Sequence, residues 1–269
     1  MLKKIIAGAA IALPAAFMCV PNASAVITSW DYNVQAGFSS FAPSTVTASL
    51  PGSLGEPTRL SWGVSTGSGQ SALVITEPVA SILRFGGTGA PLITSSTIGV
   101  PGITLTHENR PITGFDPGAL TDATLDLQAT LSATGGPASP PGTLPIIPFH
   151  IKFKETLNAL PCAVASSPTP CNDIFVLLDP ANLTSTVSGP DGLGYQVTVH
   201  VAGLGTLDAA ACAAAGVAAR CQGVTTPEGL DSKITTSFEI HATVPEPTTL
   251  LLLGSGLVGL GLWRQRRRA

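Results

Sequence analysis

Thr124-Leu125-Asp126-Leu127-Gln128-Ala129-Thr130-Leu131 alternates polar and apolar residues without a break. In extended backbone successive side chains point to opposite faces, so this stretch reads as a strand with one buried and one wet face. Working outward, Phe149-His150-Ile151-Lys152-Phe153-Lys154 repeats the pattern, with phenylalanine and isoleucine on one side. Residues 195–201 place Tyr195, Val197, Val199 and Val201 on one face, and residues 234–241 form another such run. Residues 173–178 are apolar almost throughout, as expected of a strand covered on both faces. Gly135-Gly136-Pro137, Pro140-Pro141-Gly142 and Gly189-Pro190-Asp191-Gly192 supply turns between these runs.

The pattern predicts an all-β fold, a two-sheet β-sandwich, for residues 26–243. No fixed short repeat supports a β-helix. One segment departs from strand patterning. Residues 208–220 are alanine-rich, with Asp208 placed to cap the N-terminus and Arg220 in the last turn, so a short helix is expected, interrupted by Gly216.

Both ends carry signals. Lys3 and Lys4, an apolar stretch over residues 5–20 and the small residues Ala23-Ser24-Ala25 form a secretory signal peptide over residues 1–25. Cleavage is expected between Ala25 and Val26. Cys19 comes after Ala16-Phe17-Met18, which lacks the small residue that a lipoprotein signal needs before its cysteine. At the other end stand Val244-Pro245-Glu246-Pro247, an apolar run over residues 250–263, and Arg264-Gln265-Arg266-Arg267-Arg268-Ala269. An apolar segment in lipid must satisfy its own backbone and therefore be helical, and arginines resist transfer across the bilayer. Fourteen residues rise about 21 Å as a helix, short of a hydrocarbon core of about 30 Å. Gly254, Gly256, Gly259 and Gly261 weaken that transmembrane helix but admit a close helical neighbour.

The order of motif, helix and basic tip over residues 244–269 resembles the PEP-CTERM sorting signal of Gram-negative bacteria. The resemblance implies that an exosortase-type membrane enzyme reads Pro245, Glu246 and Pro247 and removes the helix. Signal peptidase is the partner expected at the other end.

Between the signals, seven bases face fifteen acids, giving residues 26–243 a net charge near −8. An acidic body without a basic stripe argues against nucleic-acid binding. Once Cys19 leaves with the signal peptide, Cys162, Cys171, Cys212 and Cys221 remain. Four cysteines permit three pairings, and the sequence alone does not choose among them. The equal spacing within consecutive pairs favours two local disulfides, Cys162–Cys171 and Cys212–Cys221. A zinc site is the alternative, but it lacks a CxxC pair and an adjacent histidine.

Catalytic patterns are thin. Gly63-Val64-Ser65-Thr66-Gly67 fits GxSxG, yet it leads into Ser68-Gly69-Gln70 and a strand-like stretch over residues 71–76, where a nucleophile elbow needs a helix. His107, His150, His200 and His241 lie far apart and read as surface or strand-end residues. Asp122 with Asp126, or Glu108 with Glu155, could converge as a carboxylate pair, though no spacing demands it. Trp30 and Trp62 are few for a sugar platform. A calcium-loop pattern and a phosphate-cradling glycine loop are both absent. No metal ligands and no cofactor are assigned from sequence.

Leu105-Thr106-His107-Glu108-Asn109-Arg110-Pro111-Ile112 resembles the THxN signature of one PEP-CTERM group, through Thr106, His107, Asn109, Pro111 and Ile112. Residues 151–158, Cys162 and Asp173-Ile174-Phe175 are similar to that group too. The group carries no established activity, so the resemblance implies a shared fold and destination. From the residues themselves, His107 and Asn109 are expected to hydrogen-bond backbone at a strand end or turn. The resulting expectation is a non-enzymatic structural or binding protein, exported through an inner-membrane intermediate to the cell surface or an exopolysaccharide matrix. Surface polysaccharide is a candidate partner, and a secreted hydrolase acting on polysaccharide is the alternative.

Overall fold

The computed structural model describes residues 26–78, 90–114, 118–134, 142–158, 162, 164, 171–243, 256, 257 and 264. The signal peptide, the residues of the Pro-Glu-Pro motif, the turn at 135–137 and positions 140–141 lie outside the described residues. Of the C-terminal apolar run and basic tip, Gly256, Leu257 and Arg264 are described, and all three are helical. Among the described residues no helix is long and apolar enough to cross a membrane.

The strands in chain order are β1 (Ser29–Ala42), β2 (Thr47–Pro51), β3 (Pro57–Trp62), β4 (Val64–Ser65), β5 (Ser71–Thr76), β6 (Leu92–Ile93), β7 (Val100–Glu108), β8 (Ile112–Thr113) and β9 (Asp122–Ala133). They continue with β10 (Gly142–Thr143), β11 (Ile147–Lys154), β12 (Asp173–Leu177), β13 (Asn182–Ser188), β14 (Gly194–Ala202), β15 (Gly205–Thr206), β16 (Gln222–Thr226) and β17 (Asp231–Thr243). The one helix longer than a turn among the described residues is α1 (Ala209–Ala214).

Two antiparallel sheets hold most of these strands. The first runs β15-β16-β12-β11-β9-β1-β6, with β10 also on β9, and the second runs β13-β14-β17-β7-β5-β3-β2. β4 and β8 form a separate small ribbon. The alternation in residues 124–131 holds along the whole of β9, where every second residue from Ala123 to Ala133 is buried. β11 buries Ile147, Phe149, Ile151 and Phe153 in the same way, and β14 buries Tyr195, Val197 and Val199 while Val201 is half-buried. The buried faces of both sheets join one apolar core that contains Trp30, Phe38, Leu127 and Phe175 from the first and Leu60, Leu73, Leu105 and Phe238 from the second. At one margin the sheets touch through backbone: Thr94, just after β6, bridges Ile240 of β17, and Ser95 N–H donates to the Ile240 carbonyl. The turn at residues 189–192 joins β13 to β14, as its Gly-Pro-Asp-Gly chemistry implies.

β12 is buried at all five positions, and its two faces serve different neighbours. Phe175 and Leu177 face the main core, whereas Ile174 and Val176 join a smaller cluster with Val164, Ala211, Cys212, Ala215 and Cys221. The helix is therefore the cover of an otherwise exposed strand face. Its N-terminus is capped as expected, with the Asp208 carboxylate accepting from Ala211 N–H at 2.7 Å. Its end corrects the sequence reading. Gly216, at φ +73°, donates to the Ala213 carbonyl while Val217 N–H donates to Cys212, the paired bonds of a Schellman stop. Gly216 ends the helix instead of interrupting it, and Arg220 lies beyond the last turn.

Both disulfides form locally, Cys162–Cys171 and Cys212–Cys221. A six-residue helix is unstable alone, and the second bridge ties α1 back to the start of β16. Constraining a loop of about ten residues stabilises by roughly 2–3 kcal/mol, or about 4–12 °C per bridge in a domain of this size. Calorimetry with and without reductant is expected to show that fall, with the β fold retained.

Candidate functional site

The antiparallel register of β11 and β12 pairs Lys154 with Ile174, so one rung farther Glu155 stands opposite Asp173. The chain leaves β11 at this point and returns to β12 through a connection closed by Cys162–Cys171. Thr156 latches it. Its N–H donates to Asp173 Oδ1 at 2.8 Å, and its hydroxyl donates to the carbonyl of Cys171 at 3.0 Å. From the facing sheet, Trp62 at the end of β3 donates its indole N–H to Glu155 Oε2 at 2.7 Å. His107 on β7 lies with its ring stacked near Trp62 and edge-on to Phe153, with Nε2 3.7 Å from Asp173 Oδ2. Glu228, in the crossover from β16 to β17, adds a third carboxylate. One oxygen each from Glu155, Asp173 and Glu228 fall within 4.8 Å of one another.

These groups are almost entirely inside the protein: Asp173 is 0 % exposed, His107 2 % and Glu155 4 %. Burial pushes the Glu155 carboxyl up to about 7 against the pull of the Trp62 N–H, and the nearby Glu228 charge adds to the rise. Burial, then the Glu155 charge, raises Asp173 well above the usual carboxylate range. Glu228 is raised by burial as well, with Asn158 and Arg110 acting in the opposite direction. Burial drives His107 down to about 3, so the ring is neutral and makes no ion pair with Asp173. Among the described residues both ring nitrogens of His107 are without a hydrogen-bond partner, and Asp173 Oδ2 and Glu155 Oε1 find no donor unless the two carboxyls share a proton with each other.

The residues around Thr106 earn their positions structurally. Thr106 pairs across β7 with Val74 on one side and Lys233 on the other. Asn109 is buried, and its side-chain amide donates to the Thr226 carbonyl at 3.0 Å while its backbone N–H donates to Leu230. It thus straps down both ends of the crossover that carries Glu228. Arg110 extends the clasp by binding the Asn109 carbonyl and, at 2.7 Å, Asp231. The Pro111 carbonyl accepts from Thr66 Oγ1 at 2.7 Å. Ile112 fills the space beside Gly63, where a Cβ would lie 2.3 Å from its Cδ1 and where φ is +75°. Asn109 bonds backbone as expected. His107 does not: it is a buried strand residue inside the core, because the small face it covers is filled by Trp62 and Phe153.

Other sequence candidates separate. Glu108 pairs with Arg59 at 2.8 Å, both half-buried, and does not meet Glu155, whose neighbour is Asp173. Asp122 pairs with Lys152 across β9 and β11. Ser65 accepts from the N–H groups of Gly67 and Gly69 in a tight exposed loop, and β5 comes next with no helix, so GxSxG is not an elbow here. His150, His200 and His241 are surface residues, near Asp179 for the first and near Glu239 for the others. Neither Glu228 nor Trp62 stands out as a site residue in the sequence. Glu228 sits in an ordinary Pro-Glu-Gly turn, and only the fold brings it to Asp173.

Comparison with known families finds the PEP-CTERM protein-sorting motif at residues 243–268. No curated protein matches the chain. The motif accounts for the tail and supports an exported protein sorted by exosortase. The β body, with its buried carboxylates, stands outside the matched residues.

Proposed function

We propose, on the premise of a chain addressed by a PEP-CTERM motif, that the body is a structural or binding protein of the cell surface or exopolysaccharide matrix of a Gram-negative bacterium. The observation that carries this reading is the match at residues 243–268, in which Pro245, Glu246 and Pro247 precede the apolar run and the arginine tip. The resemblance of residues 105–112 to the THxN signature agrees with that destination.

A non-catalytic role is supported by where the acids lie. A glycosidase needs two carboxyl groups flanking a sugar about 5–9 Å apart in an open cleft. Glu155 and Asp173 are instead packed between the sheets, with their oxygens closer than that and beneath Trp62. Fractionation and surface labelling of the protein in a host with a matching exosortase test the destination. Incubation with a panel of surface polysaccharides tests the role: binding without release of new reducing ends is expected, and turnover abolished by Asp173→Asn would establish the hydrolase reading instead. N-terminal sequencing of the exported form is expected to begin at Val26. A lipid-modified Cys19 at the mature N-terminus would refute that cleavage.

A further inference from the structure

We propose that Glu155, Asp173 and Glu228 bind one divalent cation of the hard, calcium-like class, which pins the β11–β12 connection to the β16–β17 crossover. No contiguous loop announces it, since the three residues come from separate parts of the chain. The spacing of the oxygens fits a common ion. Two oxygens on one ion at the calcium distance of about 2.3–2.6 Å are never more than about 5 Å apart. The three carboxylate oxygens all fall within 4.8 Å of one another. An all-oxygen, carboxylate-rich set selects calcium, magnesium or manganese over zinc or copper.

A second observation points to a ligand independently of the acids. His107, only 2 % exposed, aims Nε2 at Asp173 Oδ2 from 3.7 Å, too far for a hydrogen bond, and neither ring nitrogen finds another partner among the described residues. Native cores rarely leave such groups unpaired. A hydrated cation supplies what is missing, because its metal–oxygen bonds satisfy the carboxylates and a bound water can donate or accept at the imidazole. A proton shared between Glu155 and Asp173 would relieve that pair, and Asn158 and Arg110 partly offset the Glu228 charge, but neither supplies a partner for the His107 ring. Glu228 is half-buried as a residue, but both of its carboxylate oxygens lie inside the protein with the other two acids. Asn109 and Thr156 act as positioning residues, the first holding the crossover and the second orienting Asp173.

The test is thermal unfolding of the exported full chain, purified in detergent, in EDTA and then in calcium, magnesium or manganese, with calorimetric titration of calcium. An extracellular-type site with a Kd of about 10⁻⁴ M is expected to raise Tm by about 5–10 °C at about 10 mM calcium, with one ion bound per chain. Glu228→Gln, which keeps the shape of a half-buried side chain, and Asp173→Asn, which replaces a buried ligand oxygen, are both expected to lose the rise. Glu108→Gln, a half-buried acid paired with Arg59 outside the cluster, should keep it. Equal Tm values in EDTA and in all three cations would overturn the assignment, as would a rise that survives in both cluster variants. A response to zinc alone, lost in His107→Ala, would overturn the hard-cation class.

Discussion

Replacing Pro245, Glu246 and Pro247 by alanine is expected to leave the chain inserted and unprocessed, with full-length protein accumulating in the inner membrane. The physical reason is local. Proline disfavours helical backbone in the residue before it, so the sequence favours extended backbone at the positions preceding Pro245 and Pro247. On that expectation an enzyme reading the motif would meet accessible backbone instead of a hydrogen-bonded helix. Alanine in all three places lets the helix extend through the motif. Removing Arg264, Arg266, Arg267 and Arg268 has a different consequence, because these charges oppose transfer of the tip through the bilayer and hold the topology. That variant is expected to lose membrane retention before processing. Both measurements need a host with the matching exosortase, with membrane fractions and apparent mass read together. Wild-type processing and fractionation of both variants would mean that residues 243–268 are not the address.

Legibility in the sequence tracks how local each interaction is. Strand alternation in β9, β11 and β14, the Asp208 cap and the turn at residues 189–192 depend on neighbours a few residues away, and all are legible. The apolar character of β12 signals burial on both faces without identifying its second cover, α1. Helix length is misread because alanine content favours continuation, whereas Gly216 in left-handed backbone offers a complete stop. The carboxylate cluster is hidden for the opposite reason. Glu155 and Asp173 meet through strand register, Glu228 arrives by a crossover between sheets, and His107 approaches from the other side of the core. The THxN-like residues mark the place without disclosing that they hold a crossover. Trp62 looks like a leftover aromatic and is instead the donor to a buried acid.

That position carries the largest expected loss of stability from a single change. Trp62 is 1 % exposed, stacks near His107, meets Phe153 edge-on and donates to Glu155. Trp62→Ala leaves a large cavity at the end of the main core, which costs about 3–5 kcal/mol in comparable sites. It also strips Glu155 Oε2 of its donor, adding about 1–3 kcal/mol for a buried polar group left unpaired. Trp62→Phe keeps most of the packing and removes the donor alone, so its loss isolates the second contribution. Urea unfolding at fixed calcium concentration separates these effects from cation binding, provided the slope with denaturant is unchanged. Pairing each substitution with Glu155→Gln in a double-mutant cycle then reports the coupling between indole and carboxylate. A Trp62→Ala protein within about 1 kcal/mol of wild type would contradict its burial. A Trp62→Phe protein as stable as wild type would mean that Glu155 does not depend on the indole, leaving its carboxyl to be held by Asp173, Glu228 and whatever they share.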